Sequence, residues 1–176
     1  MIHDLILDLD LEEYKDLLAL TIAVELNPSS NRVKSNVGGF QSILFEPEDM
    51  PKELKKNLDI KVSNINNKVK LQKWWINVNG KGHANSFHSH HDKTLQTKEV
   101  GVSGVFYISI PEKNMGDIVF QDIFKRSNPL VYGYGPPKKF EPKQNMLLLF
   151  PSDFFHSVEP NQSDKKRISL AFNYTR

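Results

Sequence analysis

Apolar positions recur at helical spacing in the first third of the chain and at alternating spacing in the rest. Residues 1–9 carry Ile2, Leu5, Ile6, Leu7 and Leu9, which suits a short strand. Asp10 followed three residues later by Glu13 has the geometry of an N-terminal helix cap. Leu11, Tyr14, Leu18, Ile22 and Leu26 then recur at helical spacing up to Asn27-Pro28, predicting a helix that packs on this face. Residues 27–35 read as a polar loop, and 37–45 as a strand bent at Gly38-Gly39. Pro51 suits the first turn of a helix. Leu54, Leu58, Ile60, Val62 and Ile65 predict one or two helices, with a break near Asp59.

After Lys70 the pattern becomes aromatic and β-branched, with predicted strands over 71–78, 100–110, 118–120, 146–150, 154–158 and 168–174. Helices followed by a run of strands imply a mainly β fold, a sandwich or barrel with helices packed on one side. In the last strand Arg167, Ser169, Ala171 and Asn173 share one face, and Ile168, Leu170, Phe172 and Tyr174 the other. The polar face is expected to line a cavity and the apolar face to lie under the helices. Residues 121–144 interrupt the β pattern with Asn128-Pro129, Tyr132-Gly-Tyr-Gly-Pro-Pro137 and Pro142. Breakers at this density over such a length predict a surface excursion acting as a lid over the cavity mouth.

Length and composition narrow the classes. A chain of 176 residues fits a single domain, 1–176, with helical support over about 10–70 and a β core over about 71–176. The net charge of +2 is spread along the chain, so no basic surface for nucleic acid is implied. The absence of cysteine excludes a disulfide framework, thiolate zinc sites and a cysteine nucleophile together. There is neither a membrane-length apolar run nor a basic segment followed by an apolar one at the start, so a cytoplasmic location is expected. Oligomeric state is not legible.

The chemistry concentrates in Asn85-Ser-Phe-His-Ser-His-His-Asp92. If this segment is extended, His88, His90 and Asp92 point one way and Ser89 and His91 the other. At roughly 3.3 Å per residue the outer pair is about 13 Å apart, too far to share one cation. Either His88 with His90, or His90 with Asp92, can do so, with a third ligand from His156 in Phe150-Pro-Ser-Asp-Phe-Phe-His156. Two ligands from one strand, one from a distant strand and open positions left over is the facial arrangement that suits non-haem Fe(II).

These residues, with Trp75-Ile-Asn-Val-Asn79, Gly82 to His90, Ser103-Gly-Val-Phe-Tyr107, Gly116-Asp-Ile-Val-Phe120, His156-Ser-Val-Glu-Pro-Asn161 and Arg167-Ile-Ser169 to Asn173, occur in a shared order over about residues 71–176. That order resembles the 2-oxoglutarate- and Fe(II)-dependent oxygenases of the prolyl-hydroxylase-like superfamily, most closely a compact group known from bacteria and marine bacteriophages. The resemblance implies a double-stranded β-helix, a jelly-roll or cupin-like barrel, using Fe(II), 2-oxoglutarate and O2 to oxidise an unidentified substrate with release of succinate and CO2. It also implies His88, His90 and His156 as ligands, His90 standing where the superfamily usually has aspartate. Asp92 completes the alternative register. Arg167 would take the 2-oxoglutarate carboxylate in its planar fork, with Ser169 and Tyr107 beside it.

Other residues have plainer readings. His83 and His91 are expected to face solvent or to support the cluster, and Trp74 to pack in the sheet. Trp75, Tyr132 and Tyr134 are candidates for substrate contact, and Lys125 and Arg126 belong to the same loop. An alternative class is a cupin-like metal-binding barrel, non-catalytic or isomerase-type, in which the imidazoles hold zinc or nickel and no 2-oxoglutarate enters. The motif Arg167-Ile-Ser169 weighs against it, because a structural site needs no carboxylate clamp.

Overall fold

In the computed structural model residues 1–90, 101–121 and 137–176 are described. The described strands are β1 (His3–Ile6), β2 (Asn36–Val37), β3 (Phe40–Gln41), β4 (Lys70–Asn79), β5 (Ala84–His88), β6 (Val102–Ser109), β7 (Ile118–Phe120), β8 (Lys138–Phe140), β9 (Met146–Pro151), β10 (His156–Val158) and β11 (Arg167–Thr175). Two helices, α1 (Leu11–Glu25) and α2 (Lys52–Ser63), precede most of them. The strands form a six-stranded sheet, β1-β9-β6-β11-β4-β3, and a five-stranded sheet, β2-β5-β10-β7-β8, antiparallel at every pairing.

Strand parity divides the interior into two layers. Trp74, Ile76 and Val78 of β4, Phe106 and Ile108 of β6, Leu147 and Leu149 of β9, and Leu170, Phe172 and Tyr174 of β11 form one cluster with Leu17 of α1 and Leu54, Leu58 and Val62 of α2. The opposite parity, Tyr107, Met146, Leu148 and Phe150, packs with Ile118 and Phe120 of the smaller sheet. The central strands are therefore covered on both faces, which is why β9 reads as an unbroken apolar run. Arg167, Ser169 and Ala171 line the inter-sheet cavity, as their parity predicts.

The capping box is present: Glu13 N–H donates to Asp10 Oδ1 at 2.8 Å and Asp10 N–H to Glu13 Oε2 at 3.0 Å. The packing face of α1 is only partly the expected one. Leu17 and Thr21 are its buried residues, Tyr14 and Leu18 pack half-buried against the core as expected, and Leu11, Ile22 and Leu26 are exposed. Apolar residues lie on more than one face of this helix, so spacing alone does not select one. Thr21 is buried without penalty because its hydroxyl donates to Leu17 O at 2.7 Å.

Helix α2 runs unbroken through Asp59, correcting the expected break. Asp59 pairs with Lys55 at 2.7 Å and accepts the Tyr174 hydroxyl at 2.6 Å, tying the helix to β11. Gly38 and Gly39 both have positive φ, +66° and +68°, so the predicted bend is sharp enough to carry the chain from β2 in one sheet to β3 in the other. Strand β8 falls inside the predicted excursion over 121–144. It pairs with β7, so this end of the segment is sheet, and residues 122–136 lie outside the described residues.

Candidate metal centre

His88 and His156 are direct cross-strand partners on β5 and β10, which puts their imidazoles side by side. Their ring centres are 4.4 Å apart. Strand β5 ends at His88, two residues before His90. His90 is instead held from two directions: its N–H donates to Ser152 O at 2.9 Å, and its ring reaches β11. One nitrogen from each of His88, His90 and His156 comes together, all within 4.8 Å of one another.

Which nitrogen faces the centre is fixed by what the other one does. His88 Nδ1 lies 2.7 Å from Ser86 O, His90 Nδ1 2.8 Å from Asn173 Oδ1, and His156 Nδ1 3.1 Å from Phe154 O. Each partner is an acceptor, so each Nδ1 carries the proton and each Nε2 presents a lone pair. His88 and His90 Nε2 are 3.3 Å apart, two lone pairs facing one another with no proton between them. A shared cation would satisfy both. Burial lowers the pKa of all three rings, and together with the neighbouring imidazoles it brings His90 to about 4 and His156 well below its usual value. The set is therefore neutral at pH 7, the form that binds metal.

Behind the histidines lies a narrow chamber of about 50 Å³ bounded also by Tyr107, Arg167 and Ser169. Arg167 is buried, and its Nη1 donates to Met115 O at 3.1 Å and Gly116 O at 2.8 Å. Gly116 is suited to this cradle: its φ is +88°, and a Cβ there would come within 2.1 Å of Glu159 O. Nε of Arg167 is buried without a partner, and among the described residues Nη2 makes no hydrogen bond and no carboxylate pairs with the guanidinium. The Nε–Nη2 edge is thus open, and it is the edge a carboxylate accepts in bidentate fashion. Tyr107 sits opposite Ser169 in the β6–β11 register. Burial raises its phenol to about 12, against the opposing pull of Arg167, so it stays a neutral donor.

On the other side of the histidines opens a cleft of about 760 Å³, walled by Trp75, Phe87 and Leu44. Trp75 packs 5.3 Å from His90, ring to ring. His83 stands apart from the cluster: its Nδ1 accepts the Gly80 N–H at 3.0 Å and its ring abuts Gly38. Asp92, His91, Tyr132 and Tyr134 lie outside the described residues.

A protein-family comparison matches residues 73–173, more than half of the chain, to the family described as "Putative 2OG-Fe(II) oxygenase". The chain belongs to this family. As a 2OG-Fe(II) oxygenase it is an oxidoreductase whose cofactors are Fe(II), 2-oxoglutarate and O2. No curated protein sequence matches it.

Among solved structures it is similar to a Pseudomonas putida prolyl-4-hydroxylase, with 16% identity, TM-score 0.71, and 99% of this chain and 92% of that one covered. A viral collagen prolyl hydroxylase from Paramecium Bursaria Chlorella virus-1, in complex with 2-oxoglutarate, is 14% identical, with TM-score 0.65 and coverage of 99% and 96%. HygX from Streptomyces hygroscopicus, with nickel and 2-oxoglutarate bound, is 14% identical, with TM-score 0.68 and coverage of 98% and 81%. At these identities the likeness is one of fold, the double-stranded β-helix. No described helix is long and apolar enough to cross a membrane.

Sequence reasoning placed Asn173 on the cavity face of β11 but missed its bond to His90. Parity gave the face; nothing local marks the partner, 83 residues away. It also missed the Met115 and Gly116 carbonyls, for which the only signal was the glycine in Gly116-Asp-Ile-Val-Phe120.

Proposed function

We propose that this oxygenase is a hydroxylase-type dioxygenase in which His88, His90 and His156 hold Fe(II) through Nε2 and Arg167 holds the distal carboxylate of 2-oxoglutarate. The observation that carries this reading is the open Nε–Nη2 edge of a buried arginine at the back of a chamber fronted by three imidazole lone pairs. A buried cation without a counter-charge is costly to a fold, and a dicarboxylate supplies that charge.

The bound iron would supply the O2 chemistry: 2-oxoglutarate, O2 and a substrate C–H become succinate, CO2 and a substrate C–OH. The protein's part is placement. Arg167 would orient the co-substrate along the chamber, and the Ser169 and Tyr107 hydroxyls, which line the same chamber, would donate to the same carboxylate. Phe120 and Phe150, packed 5.5 and 5.0 Å from the His156 ring, exclude water from that side. The outer cleft receives the substrate against Trp75, with Tyr132 and Tyr134 as further contacts, and residues 1–176 act as one unit in the cytoplasm.

Three imidazoles also suit zinc or nickel, and that donor set is what favours a non-catalytic cupin-like barrel. Such a barrel has no use for the open edge of Arg167.

Calorimetric titration without oxygen separates the two. The iron-loaded protein should bind 2-oxoglutarate far more tightly than glutarate, which has a distal carboxylate but no keto acid to meet a metal. The preference should vanish in metal-free protein. Equal binding of the two diacids would contradict the oxygenase reading.

A further inference from the structure

Among the described residues the outer cleft is lined by more cationic than anionic side chains. Its described lining contains no aspartate or glutamate side chain, while Arg32 and Lys34 both reach it from the segment between α1 and β2. Lys73 is there too, but it is tied to Glu46. Neither Arg32 nor Lys34 forms an ion pair with a described carboxylate.

Arg32 is the more firmly placed. Its backbone N–H donates to Gln41 O at 2.7 Å, and its guanidinium carbon lies 5.8 Å from the centre of the Trp75 ring. Its Nε is buried with no partner, and burial lowers its pKa, the signature of a cation partly removed from water without compensation. His90 also packs against the same indole. A single flat ring therefore links Arg32 to the metal centre, and a molecule lying along it would reach both.

Charge balance points the same way, given the oxygenase reading on which this inference rests. Three neutral imidazoles leave a bound Fe(II) with its full charge, doubly charged 2-oxoglutarate cancels it, and Arg167 leaves the inner site positive before Arg32 and Lys34 are counted. We propose that the outer cleft takes a substrate bearing a carboxylate or phosphate group, held by Arg32 and Lys34, with the adjoining flat or apolar part against Trp75 so that its oxidisable carbon faces the three histidines. The planar fork of Arg32 fits either anion.

The test uses protein loaded with Mn(II) and saturated with 2-oxoglutarate, so that the Arg167 edge is filled. Benzoate, phenyl phosphate and benzyl alcohol serve as probes, followed by the line broadening that a nearby paramagnetic ion imposes on their proton signals. At least one anion should bind at least tenfold more tightly than benzyl alcohol, and the tighter of the two identifies the group as carboxylate or phosphate. Arg32→Gln and Lys34→Gln together should remove that preference while 2-oxoglutarate binding is unchanged.

The proposal is overturned if the alcohol binds as well as the anions, if no probe binds, if the anions act only by displacing 2-oxoglutarate, or if the variant leaves their affinity intact. Should 2-oxoglutarate itself fail to bind while the anions still depend on Arg32, the oxygenase reading falls and the anion site stands.

Discussion

Asn173 and His90 meet across 83 residues of sequence: the imidazole donates from Nδ1 to the amide Oδ1 at 2.8 Å. The same oxygen accepts the Ser103 hydroxyl at 2.9 Å, and Ser103 and Ser152 Oγ are 2.7 Å apart. Ser152 in turn takes the His90 N–H on its carbonyl. His90 lies beyond the end of β5, so this circle of bonds does for it what strand pairing does for His88.

The bond fixes the tautomer that turns Nε2 toward the other two rings, and loss of such an outer partner typically costs about 10–100-fold in metal affinity. Asn173→Leu should therefore weaken Fe(II) binding by about that factor in an anaerobic metal titration. Asn173→Asp, which keeps an acceptor at the same place, should retain most of the affinity. Equal losses in both variants would show that the residue matters only for packing.

A second expectation concerns which pair of the cluster is used. Alanine at His88, His90 or His156 should each remove most Fe(II) binding, because one nitrogen from each lies within 4.8 Å of the other two and the three would share one cation. Asp92→Ala should bind as the parent does. Loss of binding in Asp92→Ala with retention in His88→Ala would move the site to the other register.

The two-layer β architecture was readable because alternation survives wherever a strand has one polar and one apolar face, as β11 does with Arg167, Ser169 and Asn173 against Leu170, Phe172 and Tyr174. Where that contrast fails, reading fails. Helix α1 carries apolar residues on more than one face, and the fully buried positions went to Leu17 and Thr21, with Tyr14 and Leu18 half-buried beside them. Lys138–Phe140 is too short and too charged to announce itself as β8, and it is a strand because β7 offers it an edge. The histidines were legible as a cluster, but not their choice of nitrogen, which depends on Ser86 O, Phe154 O and Asn173 Oδ1, contacts that no spacing encodes.

The histidines also predict how the metal-free protein responds to acid. Burial, then repulsion from His88, lowers His90 to about 4, against about 6.5 in an unfolded chain. Between those values the unfolded chain binds more protons than the folded one, so stability rises with pH across the window and is lost as pH falls through it. Metal-free protein should melt at a lower temperature at pH 5 than at pH 7.5, and His90→Gln should show a smaller drop. A melting temperature that rises on acidification over this range would contradict the buried, neutral triad.

The central claim is that one ligand spans from the three histidines to Arg167, and it is tested most directly by anaerobic absorption spectroscopy of iron-loaded protein. Chelation by the keto acid end of 2-oxoglutarate should produce a visible metal-to-ligand charge-transfer band that a redox-inert metal cannot give. In Arg167→Leu the band should still form, but only at much higher 2-oxoglutarate. Losing a buried charged partner costs roughly 2–5 kcal/mol, or about thirtyfold to several thousandfold in affinity, while iron binding through the imidazoles is kept. A parent protein that gives no band, or an Arg167→Leu variant that titrates at the parent's 2-oxoglutarate concentration, would contradict the account.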